Sequence, residues 1–287
     1  MSIIDAHHHT WDLAVRDQDW SSGAEMAAIR RNFTIDDLRP LARAAGVTGS
    51  VLVQTVTVAA ETPEMLAIAQ ADQLVCGVVG WADLTSPAVG ERLAELKTGQ
   101  GGEYLVAIRH QVQGEPDPDW LRRVDVVRGL REVAAAGLAY DLVIRPEQLP
   151  SAAYAATAVP ELTFVLDHLG KPPIATRAVQ PWARDIRAFA ARANTVCKLS
   201  GLATEAAPGA AAAAFEPYVV VILEAFGAAR LMFGSDWPVC LLASDYARVV
   251  ELAQALTAGL SASERADVFA GTATRVYGIA GSPAQLG

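Results

Sequence analysis

Eight short apolar runs, each followed by a stretch of helical periodicity, recur along the chain, and this alternation narrows the available folds more than any other feature. The runs fall at 3–7, 49–54, 75–81, 104–110, 139–144, 163–167, 196–199 and 231–234. Most are continuous rather than alternating, as in Val51-Leu52-Val53 and Thr163-Phe164-Val165-Leu166, the pattern of parallel strands covered on both faces. Helical stretches separate them at 36–45, 63–71, 89–96, 120–136, 146–156, 181–193, 215–226 and 244–256. Several open on Pro or Asp, and Gly46 and Gly137 stand where two of them stop. A further stretch at 261–277 begins Ser261-Ala262-Ser263-Glu264, a capping-box pattern, and reads as an extra C-terminal helix that packs on or seals the outside. The alternation predicts an α/β fold, a closed (β/α)8 TIM barrel, with residues 1–287 forming a single domain. An open doubly wound sheet would carry a Gly-rich phosphate turn after its first strand, whereas here that turn carries histidines.

Composition removes several function classes. Apolar residues make up 52% of the chain and charged residues 19%, enough for a substantial core and against disorder. A net charge of −9 leaves no excess of cations for nucleic acid. The longest region of low polarity, 206–233, is cut by Pro208, Glu216, Pro217, Glu224 and Arg230, so no membrane span is expected. Cys76, Cys197 and Cys240 are far apart, and the N-terminus lacks the basic start and long apolar stretch of a signal peptide. A reducing, cytoplasmic setting and a small-molecule partner are expected, with homo-oligomerisation left open.

The ionisable residues collect at the ends of the predicted strands, where a barrel places its chemistry. Ile3-Ile4-Asp5-Ala6-His7-His8-His9 is an apolar strand running into His-x-His, so His7 and His9 point one way and His8 the other. Two imidazoles aimed at one point suit a divalent metal or a polarised carbonyl oxygen. Asp83 follows the third run, Arg109 and His110 close the fourth, His168 closes the sixth and Asp236 follows the eighth. Asp236 is expected to bind a metal or take a proton from water; capping its loop is the structural alternative. His168 is a second catalytic or ligating candidate, against the reading of a satisfied core histidine. Lys171, Arg109 and His110 offer donors for hydroxyls or a carboxylate, with an inter-loop salt bridge as the alternative for Arg109. Trp81 and Trp237 are candidate pocket walls or simple core.

Taken together, Asp5-Ala6-His7-His8-His9-Thr10-Trp11, Gly80-Trp81-Ala82-Asp83-Leu84, Ile108-Arg109-His110, Asp167-His168-Leu169-Gly170-Lys171-Pro172 and Phe233-Gly234-Ser235-Asp236-Trp237-Pro238 resemble the amidohydrolase superfamily. The resemblance is to its amidohydrolase-2 branch, which holds sugar-acid lactonases acting on L-fucono- and L-rhamnono-lactones and relatives of 2-pyrone-4,6-dicarboxylate lactonase. It implies a distorted (β/α)8 barrel in which His7, His9, His168 and Asp236 hold one divalent ion, usually zinc, or work without one. The run Tyr140-Asp141-Leu142-Val143-Ile144-Arg145 ends without a histidine and no lysine closes the fourth strand, which argues against two metals. The expected reaction is hydrolysis of a sugar-acid lactone by water activated at Asp236. Decarboxylation of a small unsaturated or aromatic acid, and a barrel that binds sugars or metals without turnover, are the alternatives.

Overall fold

The apolar runs form strands because each is covered on both sides. The computed structural model describes residues 2–279. The strands are β1 (Ile3–His8), β2 (Val47–Val53), β3 (Val75–Gly80), β4 (Leu105–His110), β5 (Ala139–Leu142), β6 (Phe164–Leu166), β7 (Thr195–Leu199) and β8 (Leu231–Phe233). All pair in parallel in sequence order within one sheet. The ends of that sheet meet: Asp236 N–H donates to the His7 carbonyl at 2.8 Å and His9 N–H to the Trp237 carbonyl at 2.7 Å. These bonds curl the sheet into the expected, nearly closed (β/α)8 barrel.

The helices are α1 (Ile35–Ala44), α2 (Glu61–Ala71), α3 (Val89–Thr98), α4 (Val124–Ala135), α5 (Leu149–Ala158), α6 (Trp182–Ala190), α7 (Glu216–Phe226) and α8 (Tyr246–Leu256). Their buried faces and the outward side chains of the strands form one large apolar layer, with Leu52, Ile108, Phe164 and Phe233 among its members. Two helical stretches are more broken than their periodicity suggests. The 120–136 stretch opens as a single 3-10 turn, Trp120–Arg122, before α4 begins. The 261–277 stretch is α9 (Ala262–Ala266) and α10 (Thr272–Tyr277) joined by a π-helical turn, Asp267–Gly271. Ser261 and Glu264 form the expected capping box.

A second apolar cluster fills the barrel interior with small and β-branched residues from all eight strands, including Ala6, Val53, Val79, Ala107, Ala139, Val165, Val196 and Met232. Ala273, Tyr277 and Ile279 belong to this same cluster. The C-terminal helix therefore does more than cover the outside, because its end enters the barrel. The Tyr277 hydroxyl donates to Asp141, 3.0 and 2.9 Å from its two carboxylate oxygens.

Candidate active site

The first strand reaches the interior through an irregularity. Ile4 and Ala6 belong to the interior cluster, so unbroken alternation would carry His8 inward. Pairing with β2 slips between Asp5 and His8, and His7 and His9 face the site instead. His8 is left fully buried on the other side with neither ring nitrogen hydrogen-bonded.

Four side chains from three strand ends converge. His7 Nε2 lies 3.2 Å from His9 Nε2. Asp236 Oδ1 lies 3.7 Å from His7 Nε2, 3.4 Å from His9 Nε2 and 3.8 Å from His168 Nε2. Tetrahedral zinc with bonds of about 2.0–2.1 Å separates neighbouring ligand atoms by about 3.3 Å, a separation that these spacings of 3.2 to 3.8 Å approach. One ligand atom each from His7, His168 and Asp236 falls within 4.8 Å of the others. The outer nitrogens set the inner ones: His9 Nδ1 donates to the Val53 carbonyl at 2.7 Å, and His168 Nδ1 faces Ser200 Oγ at 2.9 Å. With a proton on each Nδ1, the Nε2 lone pairs point into the site.

The backbone is specialised where these groups emerge. His168, Leu169, Lys171 and Asp236 have φ of 52°, 55°, 52° and 59°, left-handed conformations that cost non-glycine residues of order 1–3 kcal/mol each. Two glycines make room. A Cβ at Gly201 would lie 2.7 Å from the His168 ring, and one at Gly234 would lie 2.7 Å from His7 Cβ.

Burial pushes His168 down to about 4, against the upward pull of Asp236, and it pushes His7 well below the ordinary histidine range. Burial works against the Asp236 carboxylate, but the facing imidazoles, His168 first, hold its pKa below the ordinary range. Near neutral pH His7 and His168 are neutral imidazoles facing an ionised Asp236, the protonation state in which such groups bind a divalent cation.

Beneath this cluster the barrel interior carries buried charge. Lys198 on β7 is fully buried and reaches Asp141 Oδ2 at 2.5 Å, Asp167 Oδ1 at 3.1 Å and His7 Nδ1 at 3.1 Å. Arg109 on β4 donates to Asp167 Oδ2 at 2.9 Å and to the Gln54 side chain at 2.9 Å, and also to the Gln54 carbonyl. Asp167 Oδ1 and Arg109 Nη1 each lie 3.3 Å from a His7 nitrogen, Nδ1 and Nε2 respectively. Two carboxylates and two cations thus balance one another behind His7. The sequence reading missed Lys198 and Asp141. Their signal was a lone charge inside an apolar strand, at the inward parity of Val196 and Ala139.

A cavity of about 320 Å³ opens above the cluster, lined by His9, His168 and Asp236 together with Arg109, Lys171, Glu205, Gln111 and Gln113. Trp20, Met26, Val239 and Leu242 give it an apolar side. Of the expected substrate-facing residues, Lys171 reaches the cavity with a side chain that also meets Glu205. Arg109 reaches the wall with its guanidinium committed to Gln54 and Asp167. Three others are not on the lining. His110 follows Arg109 on the strand and so points to the opposite face, where it stacks on Trp120 at 4.4 Å and meets Glu115 at 2.7 Å. Trp81 Nε1 donates to His110 Nδ1 at 3.1 Å, and Trp237 packs edge-on against Phe33 at 5.3 Å. Asp83 is exposed and accepts from Thr85.

The profile of the amidohydrolase family matches residues 4–279. The chain belongs to the amidohydrolase family. It is 38% identical to an L-fucono-1,5-lactonase of Burkholderia multivorans over 96% of each protein. It is 37% identical to the L-fucono-1,5-lactonase of Burkholderia ambifaria, over 96% of this chain and 95% of that one. Among solved structures, an amidohydrolase from Burkholderia multivorans with bound zinc superposes with a TM-score of 0.92 at 37% identity, covering 98% of this chain and 100% of that one. The donor set of three imidazole nitrogens and one carboxylate fits the ion bound in that relative.

Proposed function

We propose that this protein is a hydrolase that opens a sugar-acid lactone, a small cyclic ester, with L-fucono-1,5-lactone as the first substrate to test. The observation that carries the reading is the convergence of His7, His9 and His168 on Asp236 Oδ1, in a chain 38% identical to an L-fucono-1,5-lactonase. A cytoplasmic location fits the three cysteines, all free.

His7, His9, His168 and Asp236 would hold one divalent ion, zinc being the candidate from the relative. Such an ion, when bound, supplies positive charge that polarises the lactone carbonyl and acidifies water. The chain's own residues do the rest. All three imidazole contacts fall on Asp236 Oδ1, which leaves Oδ2 to accept the proton of the attacking water. Protonated Asp236 then returns that proton to the ring oxygen as the C–O bond breaks, and a hydroxy acid leaves. With its Nδ1 hydrogen-bonded to Ser200, His168 presents Nε2 toward Asp236 and serves as a ligand rather than a proton donor. Lys171 donates to substrate oxygens from the cavity wall, while Arg109 acts behind His7 by fixing Asp167.

Lactone opening releases a proton at neutral pH, so a pH indicator follows it directly. L-fucono-1,5-lactone should open in the parent protein, and chelation should suppress turnover until zinc is returned. Asp236→Asn should lower kcat by about 10²–10⁴-fold, with circular dichroism unchanged. Release of carbon dioxide from an unsaturated acid in place of proton release from a lactone would move the assignment to a decarboxylase. Full activity in the Asn variant would remove Asp236 from the chemistry.

A further inference from the structure

The cavity holds a second charged feature, a pair of which the hydrolytic reading uses only Lys171. Lys171 Nζ and Glu205 Oε1 lie 3.7 Å apart on its wall, each side chain 28% exposed. They come from different loops. Lys171 ends the left-handed turn that also presents His168, and Glu205 ends the single helical turn Ala203–Glu205 after β7. The cavity has one other cationic side chain, Arg109, and it is committed to Asp167 and Gln54. Among the described residues of the lining, every Lys or Arg therefore has a carboxylate partner.

The remaining polar wall is neutral. Gln113 Nε2 donates to Gln111 Oε1 at 3.3 Å, and Gln111 Nε2 donates to the Thr55 carbonyl at 2.9 Å. These amides give the wall neutral groups that both donate and accept, which suits hydroxyl groups. A carboxylate placed against this wall, away from the ion that His7, His9, His168 and Asp236 would hold, would meet Glu205 with each nearby Lys or Arg already paired, a costly arrangement for a buried charge.

We infer that the Lys171–Glu205 pair selects uncharged polyhydroxy lactones and turns away lactones bearing a free carboxylate. Glu205 accepts from a ring hydroxyl and Lys171 donates to a neighbouring oxygen, so both are specificity-determining residues. Glu205 also fixes Lys171 as the partner of a protein carboxylate instead of a substrate one. The inference rests on the lactonase reading above.

A matched pair of ligands tests it: L-galactono-1,4-lactone and L-galactaro-1,4-lactone, which differ by a hydroxymethyl group against a carboxylate at one end. Each is measured as an inhibitor of L-fucono-1,5-lactone opening, so that the constants are defined whether or not either ligand turns over. The parent should bind the neutral ligand at least about tenfold more tightly. Glu205→Gln frees the Lys171 ammonium and should bring the ratio to one or invert it. Lys171→Met should weaken the neutral ligand without improving the anionic one. Equal inhibition by the two ligands in the parent, or an unchanged ratio in Glu205→Gln, would overturn the inference while leaving the lactonase assignment intact. A parent protein that opens no lactone would instead overturn the assignment itself.

Discussion

Single residues at this site are defined as much by the space around them as by their own chemistry. His168 sits against Gly201, whose φ of 64° already favours glycine. Gly201→Ala should destabilise the protein by about 1–3 kcal/mol and displace His168. The measurable outcome is weaker zinc binding with secondary structure retained; unchanged zinc affinity would mean the ring has another way to seat itself. His7, His9, His168 and Asp236 were legible in the sequence because each breaks out of an apolar strand, where a polar group needs a reason to be. Arg109 was also conspicuous, but its task was not. A guanidinium at a strand end looks the same whether it faces a ligand or a buried carboxylate, and only the fold places Asp167 within 2.9 Å of it. Glu205 gave no signal because it lies in an irregular alanine-rich loop with no strand to fix its direction.

At the level of strands, the existence of each element was readable and its edges were not. Unbroken apolar runs announce parallel strands, and those runs were in the right places. The run at 163–167 was read as ending on a strand, yet β6 stops at Leu166, since Asp167 begins the turn that presents His168. At β1, His7 and His9 share a side as expected, but the slip beside β2 that turns them rather than His8 toward the site cannot be seen in a single chain's hydropathy. The charged layer spanning β4 to β7 has a mechanical consequence. Lys198→Met strands Asp141 and Asp167 with too little positive charge and should cost about 3–5 kcal/mol. Combining it with Asp141→Asn removes the uncompensated partner and should recover part of that loss. Equilibrium denaturation of the two variants decides the point, and equal losses in both would mean that the pair is not coupled. Loss of zinc affinity in the double variant, at recovered stability, would show that Lys198 also orients His7.

For the whole molecule, the buried titratable groups set how stability responds to acid. Burial lowers His7, His8 and His168 below the ordinary value, His8 to about 3 and His168 to about 4. A histidine that is neutral when folded but free to charge when unfolded loses stability for the native state as pH falls below its unfolded value of about 6.5. That loss continues until the folded group itself protonates. Asp141 acts in the opposite sense: burial raises it to about 6 against the pull of Lys198, so acid protonates it first in the folded protein. Burial lowers His110 as well, and it raises Asp5, Glu61 and Glu205 as it raises Asp141. The histidines begin to act at their unfolded value of about 6.5, so the melting temperature should fall as the pH is lowered from about 6.5 toward about 4. Thermal melts across that range measure it; a flat profile would mean the histidines are charged inside the fold.

The closing seam of the barrel also bears on when the protein becomes competent during its manufacture. Asp5 holds Ser235 across 230 residues of chain, and Tyr277 reaches Asp141 from farther along still. The imidazoles of β1 leave the ribosome well before their carboxylate partner, which follows only after seven more strands have emerged. No nascent chain that stops short of β8 and Asp236 can bring these groups together, so the first strand waits for the eighth.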